Sequence, residues 1–170
     1  TTKAGSALFS GTVSGTNINI VGGDNLETSL GNFASTVTVT AITLDDNTAT
    51  ASATFSGTTA TITGTINGLA TTEGTINVTG TGKTFASVIG GSSKPLSTIT
   101  ISAGTTTFNT TVNATTVSAN AASTFTGAVT ATTFGTSAAA YNIAINGGGT
   151  ITNAATFSNT GTLTLGGTTA

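Results

Sequence analysis

The sequence predicts an all-β chain wound as a parallel β-solenoid, with stacked coils burying one shared core. Three observations point there: a threonine-rich, charge-poor composition, a period-two alternation of polar and apolar residues, and a 17-residue internal repeat.

Composition comes first. Of the 170 residues 46 are Thr and 23 are Gly, while charged residues make up 5%. Globular chains usually carry about a quarter charged residues, so polar surface here must come from Thr, Ser and Asn. β-branched residues fit a pleated, half-buried surface. Disorder usually brings high net charge and few β-branched residues. This chain has a net charge of −2 and β-branched residues in quantity. No run of about 18 apolar residues occurs, so no membrane-spanning helix is expected in this segment. Three lysines cannot build a basic patch, which argues against nucleic acid as a partner. Cys, Met, Trp and His are absent, leaving no disulfide and no thiolate metal site. The sequence opens Thr1-Thr2-Lys3 with no initiator Met and no signal pattern, the expectation for a processed product or a piece of something longer.

The N-terminal part, residues 1–66, reads as irregular or antiparallel β-structure. "STVTVTAITL" (35–44) and "TATASATFSGTTATITGTI" (48–66) alternate polar and apolar residues. Asp45-Asp46-Asn47 between them is a turn signal, so Ser35–Phe55 predicts an antiparallel hairpin. A β-sandwich is the alternative architecture on that basis.

Residues 67–170 read as solenoid coils. "TFNTTVNATTVSANAAS" (107–123) is followed directly by "TFTGAVTATTFGTSAAA" (124–140), and the two blocks agree at eight of 17 positions. Phe108, Val112 and Ala114 share one parity, so a strand points them to one side. Val117 has the opposite parity, which predicts a bend near Thr115-Thr116. The register places Phe125 on Phe108 and Val129 on Val112. Gly90-Gly91-Ser92-Ser93-Lys94-Pro95 breaks the composition and reads as a linker or a loop projecting from one coil.

The segment from Thr84 to Phe134 resembles repeats of very long bacterial surface proteins. These are filamentous-haemagglutinin-like adhesins, autotransporter passengers and rickettsia-type outer-membrane surface antigens. The resemblance rests on Thr84-Phe85, Ile89-Gly90-Gly91, Thr98-Ile99-Thr100 and Gly104-Thr105-Thr106-Thr107-Phe108-Asn109. It covers roughly residues 60 to 170 and thins out before them. It implies a right-handed parallel β-helix on the cell surface and transfers no catalytic residue.

Several residues invite a sharper reading. Gly82-Lys83-Thr84 matches the end of a phosphate-binding loop, but the first glycine of that motif falls at position 77, which is Asn77. Gly80–Thr84 is therefore expected to be a turn, with Lys83 solvated. Asp45 and Asp46 could offer oxygen ligands to Ca²⁺, although paired acids more often simply favour a turn. Nothing in Asp24, Glu27, Asp45, Asp46 and Glu73 selects a catalytic carboxylate pair. Asn77, Asn109 and Asn113 lie in Asn-x-Ser/Thr sequons. No catalytic, cofactor or metal site is predicted, and the chain is not expected to be an enzyme.

Three function classes follow. The first is a structural or adhesive cell-surface protein forming an extracellular stalk, filament or coat. Its partners would be neighbouring repeats, other copies of itself, or a host or cell-surface ligand. The second is a self-assembling pilus or surface-layer subunit completed by strand exchange. The third is ice binding through Thr-x-Thr arrays such as Thr36–Thr40, Thr150–Thr152 and Thr162–Thr164. These recur at no constant spacing, which counts against a flat array.

Overall fold

The computed structural model describes residues 5–23 and 28–166. They form seventeen strands and no helix: β1 (Ser6–Phe9), β2 (Val13–Ser14), β3 (Asn17–Val21), β4 (Ser29–Phe33), β5 (Val37–Asp45), β6 (Ala51–Phe55), β7 (Ala60–Gly68), β8 (Glu73–Val78), β9 (Lys83–Phe85), β10 (Leu96–Ile101), β11 (Thr106–Phe108), β12 (Val112–Ala119), β13 (Ser123–Phe125), β14 (Val129–Gly135), β15 (Ile143–Ile145), β16 (Gly149–Ile151) and β17 (Leu163–Leu165). All strand pairings are parallel. One sheet runs β1-β4-β6-β8-β10-β12-β14-β16, and the other runs β17-β15-β13-β11-β9-β7-β5-β2, with β3 also on β5. The chain is a β-solenoid of about seven turns.

The coils feed several inward ladders, among them one through Ala53, Ile76, Ile99, Val117 and Phe134 and the three that follow. The first passes through Val13, Val37, Ile62, Phe85, Phe108, Phe125, Ile145 and Leu165. The second passes through Ile18, Ile42, Ile66, Ile89, Val112 and Val129. The third passes through Phe9, Phe33, Phe55, Val78, Ile101 and Ala119. Alternate residues of a strand point to one side, so stacking like on like buries each apolar set.

The predicted register holds. Val112 pairs with Val129, Ala114 with Ala131, and Val117 with Phe134. Phe108 and Phe125 stack with centroids 4.9 Å apart and rings 2° from parallel. The inward side switches at Thr115-Thr116 inside β12, where the strand turns without breaking.

All eight phenylalanines join one aromatic column. Phe9, Phe33 and Phe55 stack in the third ladder. Phe55 then meets Phe85 edge-on, at 5.0 Å and 89°, and the column crosses to the first ladder. Phe85, Phe108 and Phe125 stack there face to face. A second edge contact, at 71°, carries it to Phe134 on the Val117 ladder, and Phe134 packs against Phe157. Offset-stacked and edge-to-face geometries both suit the aromatic quadrupole.

The hairpin over Ser35–Phe55 does not form. β5 and β6 lie in different sheets, and β5 pairs in parallel with β2, β3 and β7. Asp45-Asp46-Asn47 turns the chain between coil segments instead. The β-sandwich is likewise replaced by the solenoid, whose ladders run without interruption across residues 66 and 67. Gly90–Pro95 is a projecting loop, closed by the Lys94 N–H donating to the Gly91 carbonyl at 3.0 Å. It lengthens one coil while leaving the ladders on either side in register.

Candidate functional site

Lys83 is not a solvated turn residue. It opens β9, points inward and is 1% exposed. Its ladder neighbours are Ala60 and Thr106, and the small Ala60 leaves room for the long side chain. The Nζ donates to the Gly57 carbonyl at 2.5 Å, in the corner of the preceding coil. Burial pushes the Lys83 amine below its ordinary value of 10.5. Thr106, next in the ladder, buries a hydroxyl with no hydrogen-bond partner.

The glycines of this motif serve backbone geometry, for two different reasons. A methyl on Gly80 would lie 1.8 Å from the Gly57 oxygen, so close backbone approach demands glycine. Gly82 has φ +67°, and the equivalent corner residues Thr59 and Thr105 also have positive φ, at 39° and 55°. The Thr105 hydroxyl accepts the Gly82 N–H at 3.1 Å. The segment Gly82-Lys83-Thr84 therefore leads into a strand, where a nucleotide-binding loop would lead into a helix.

The acids hold backbone. Asp46 accepts the Ala51 N–H at 2.8 Å and the Gly74 N–H of the next coil at 3.0 Å. Asp45 accepts the Asn47 N–H at 2.9 Å, and Glu73 accepts the Ala70 N–H at 2.8 Å. Among the described residues no three His, Cys, Asp or Glu side chains come together. Asp24 and Glu27 lie outside the described residues.

The sequons separate. Asn77 donates to the Ser52 hydroxyl at 2.9 Å, and Asn113 donates to the Gly90 carbonyl. Both amides thus bind the coil before them. Asn109 is exposed at a corner.

The outward side chains form regular files. Thr61, Thr84, Thr107 and Thr124 are consecutive partners on one face. On another, Thr75, Thr98, Thr116 and Thr133 continue from the buried Ser52 as one file, and Thr54, Asn77, Thr100 and Ser118 make a second. Strand spacing sets about 4.8 Å between neighbours within a file. The two files stand two residues apart, roughly 6.6 Å at the usual rise per residue. Constant spacing in sequence is not needed for such an array, because extra residues leave the coil as loops. Of the triplets, Thr162–Thr164 contributes Thr164 to the first file, through Ala144.

Among the described residues the core has a hollow at each end. Phe9, Ala7 and Ile18 line a hollow at one end, and Leu165, Ile151 and Phe157 line one at the other. No described helix could cross a membrane. Comparison with family models, curated proteins and solved structures finds no match.

Proposed function

We propose that the chain is a stretch of extended β-solenoid on a cell surface, forming a stalk, filament or coat. The observation that carries this reading is the uninterrupted stack, with its inward apolar ladders and one column of eight phenylalanines spanning the described coils. In such a stack each coil contacts only its neighbours, so length grows with coil number at constant local stability. The scarcity of charge and the engagement of nearly every inward position in packing fit a spacer better than a reaction centre. A host or cell-surface ligand would be met on the outward files of Thr, Ser and Asn.

The test is labelling of the producing cells with an antibody against the folded chain, paired with limited proteolysis. A cell-surface stalk labels intact cells and resists protease. Labelling that requires permeabilised cells would refute the reading.

The paired files from Thr75 to Thr133 and from Thr54 to Ser118 favour a second reading, binding to an ordered lattice such as ice. Thermal hysteresis in the presence of ice crystals, lost in Thr98→Lys, is its expected signature. Freezing without hysteresis would remove it.

A further inference from the structure

We propose that Asn146 is a spontaneous modification site, where the folded chain converts its own asparagine to aspartate and isoaspartate, while the fold protects an identical tripeptide elsewhere. The sequence holds Ile-Asn-Gly twice, at 66–68 and 145–147. Asn-Gly suits this reaction because glycine puts no β-carbon beside the attacking backbone nitrogen and leaves the backbone free to turn. Both sites therefore share the same local chemistry, and the structure separates them.

At the first copy the reacting groups are held. Asn67 is half-buried in β7, and its Oδ1 accepts the Gly91 N–H of the next coil at 2.8 Å. Gly68, which would supply the nitrogen, is buried and paired with Leu44. At the second copy they are loose. Asn146 lies in the corner between β15 and β16 and is exposed, and its side-chain amide has no partner among the described residues. The Gly147 N–H shares the Phe125 carbonyl with the Asn146 N–H, at 3.4 Å against 2.8 Å, and is the weaker donor of the two. This corner is open to solvent in every coil, since Asn109 and Thr126 hold the same place inside the stack and are exposed as well.

In the reaction the Gly147 nitrogen gives up its proton to hydroxide and bonds to Asn146 Cγ. The Cγ–Nδ2 bond breaks, and the amide nitrogen takes a proton from water and leaves as ammonia. Water then opens the cyclic imide at either carbonyl, giving aspartate or isoaspartate. Water enters and ammonia departs, with nothing oxidised or reduced. Aspartate at this position is the first charge after Lys94. Isoaspartate does more, because it adds a carbon to the main chain. Residues 146–148 match 126–128 one for one between the pairs Phe125–Ile145 and Val129–Gly149. A methyl on Gly147 would already lie 2.3 Å from the Gly127 carbonyl carbon. The corner has no room for a longer main chain, so isoaspartate opens it.

The experiment ages the purified full chain in mildly alkaline buffer, with a parallel sample in denaturant. Intact mass, peptide mapping and enzymatic methyl labelling of isoaspartate follow the change. Unfolded, Asn67 and Asn146 should react at similar rates. Folded, Asn146 should react faster by about tenfold, because Asn67 must first release Gly91 and leave its ladder. Asn146→Gln should fold alike and keep its mass over the same period. Limited proteolysis should cut the isoaspartate form at residues 146–149 before it cuts the fresh chain. An Asn146 that stays intact in the folded chain overturns the proposal, and so do equal folded rates at the two sites. Isoaspartate-bearing chain as protease-resistant as fresh chain overturns the opening of the corner.

Discussion

Phe108→Ala removes the middle ring of three that stack face to face. Phe108 lies 4.8 Å from Phe85 at 7° and 4.9 Å from Phe125 at 2°, and it is 1% exposed. Emptying a buried phenylalanine site costs about 3–5 kcal/mol. Each aromatic pair is worth about 0.5–1.5 kcal/mol beyond its buried area, and two pairs are lost together. The expected loss is therefore near the top of the range, about 5 kcal/mol. Coils above and below are held by their own backbone ladders and cannot collapse into the gap without breaking register. Phe157→Ala, at the open end of the column and only half-buried, should cost about 1–2 kcal/mol. Guanidinium unfolding followed by far-ultraviolet circular dichroism is the suitable assay, since the chain has one Tyr and no Trp. A loss below about 1 kcal/mol for Phe108→Ala, or equal losses at both positions, would refute the stacking argument.

Other substitutions probe the corners and the buried polar row. Gly80→Ala should destabilise by about 3 kcal/mol, because its methyl meets backbone at 1.8 Å, whereas Gly82→Ala should cost about 1 kcal/mol for its positive φ; equal losses in chemical denaturation would contradict this. Lys83→Ala should lose about 1–3 kcal/mol by abandoning the Gly57 carbonyl, and a silent variant would return Lys83 to solvent. The amine of Lys83 titrates below 10.5 when folded, so the unfolded chain holds that proton more tightly between the two values, and stability rises with pH across that interval. Lys83→Met should lack this rise in a comparison of unfolding midpoints toward pH 10.5. Thr106→Val replaces an unpartnered buried hydroxyl by an isosteric methyl and should stabilise by about 1 kcal/mol; a loss of similar size would show that the hydroxyl is satisfied.

The coil stack was legible where coil length is shortest. Between Phe108 and Phe125 nothing projects, so Phe, Val and Ala recur in a register that low complexity alone would not produce. The coil from Phe85 to Phe108 has the same ladders, but the Gly90–Pro95 loop hides its period. Asp45-Asp46-Asn47 misled because a loop between coil segments uses the same turn chemistry as a hairpin. The hydrogen bond from the Gly74 N–H to Asp46, which ties that loop to the next coil, spans 28 residues and leaves no local signal. Lys83 was misread for a related reason. A lysine beside two glycines usually faces water, and only the pairing of Lys83 with Ala60 reveals the space that admits it. The threonine files were missed as an array because loops of unequal length erase their spacing in sequence.

Distance between coils tests the solenoid most directly, because it depends on coil number and not on residue number. Thr61, Thr84, Thr107, Thr124, Ala144 and Thr164 form one outward file, and the chain has no native cysteine to compete with spin labels. Label pairs at Thr61→Cys/Thr124→Cys and Thr61→Cys/Thr164→Cys span three and five coil rises. At about 4.8 Å per rise their backbone separations are about 14 and 24 Å. Pulsed and continuous-wave electron paramagnetic resonance should give two narrow distributions whose centres differ by about 10 Å. Broad overlapping distributions, or a Thr61–Thr164 distance no longer than Thr61–Thr124, would contradict a continuous parallel stack.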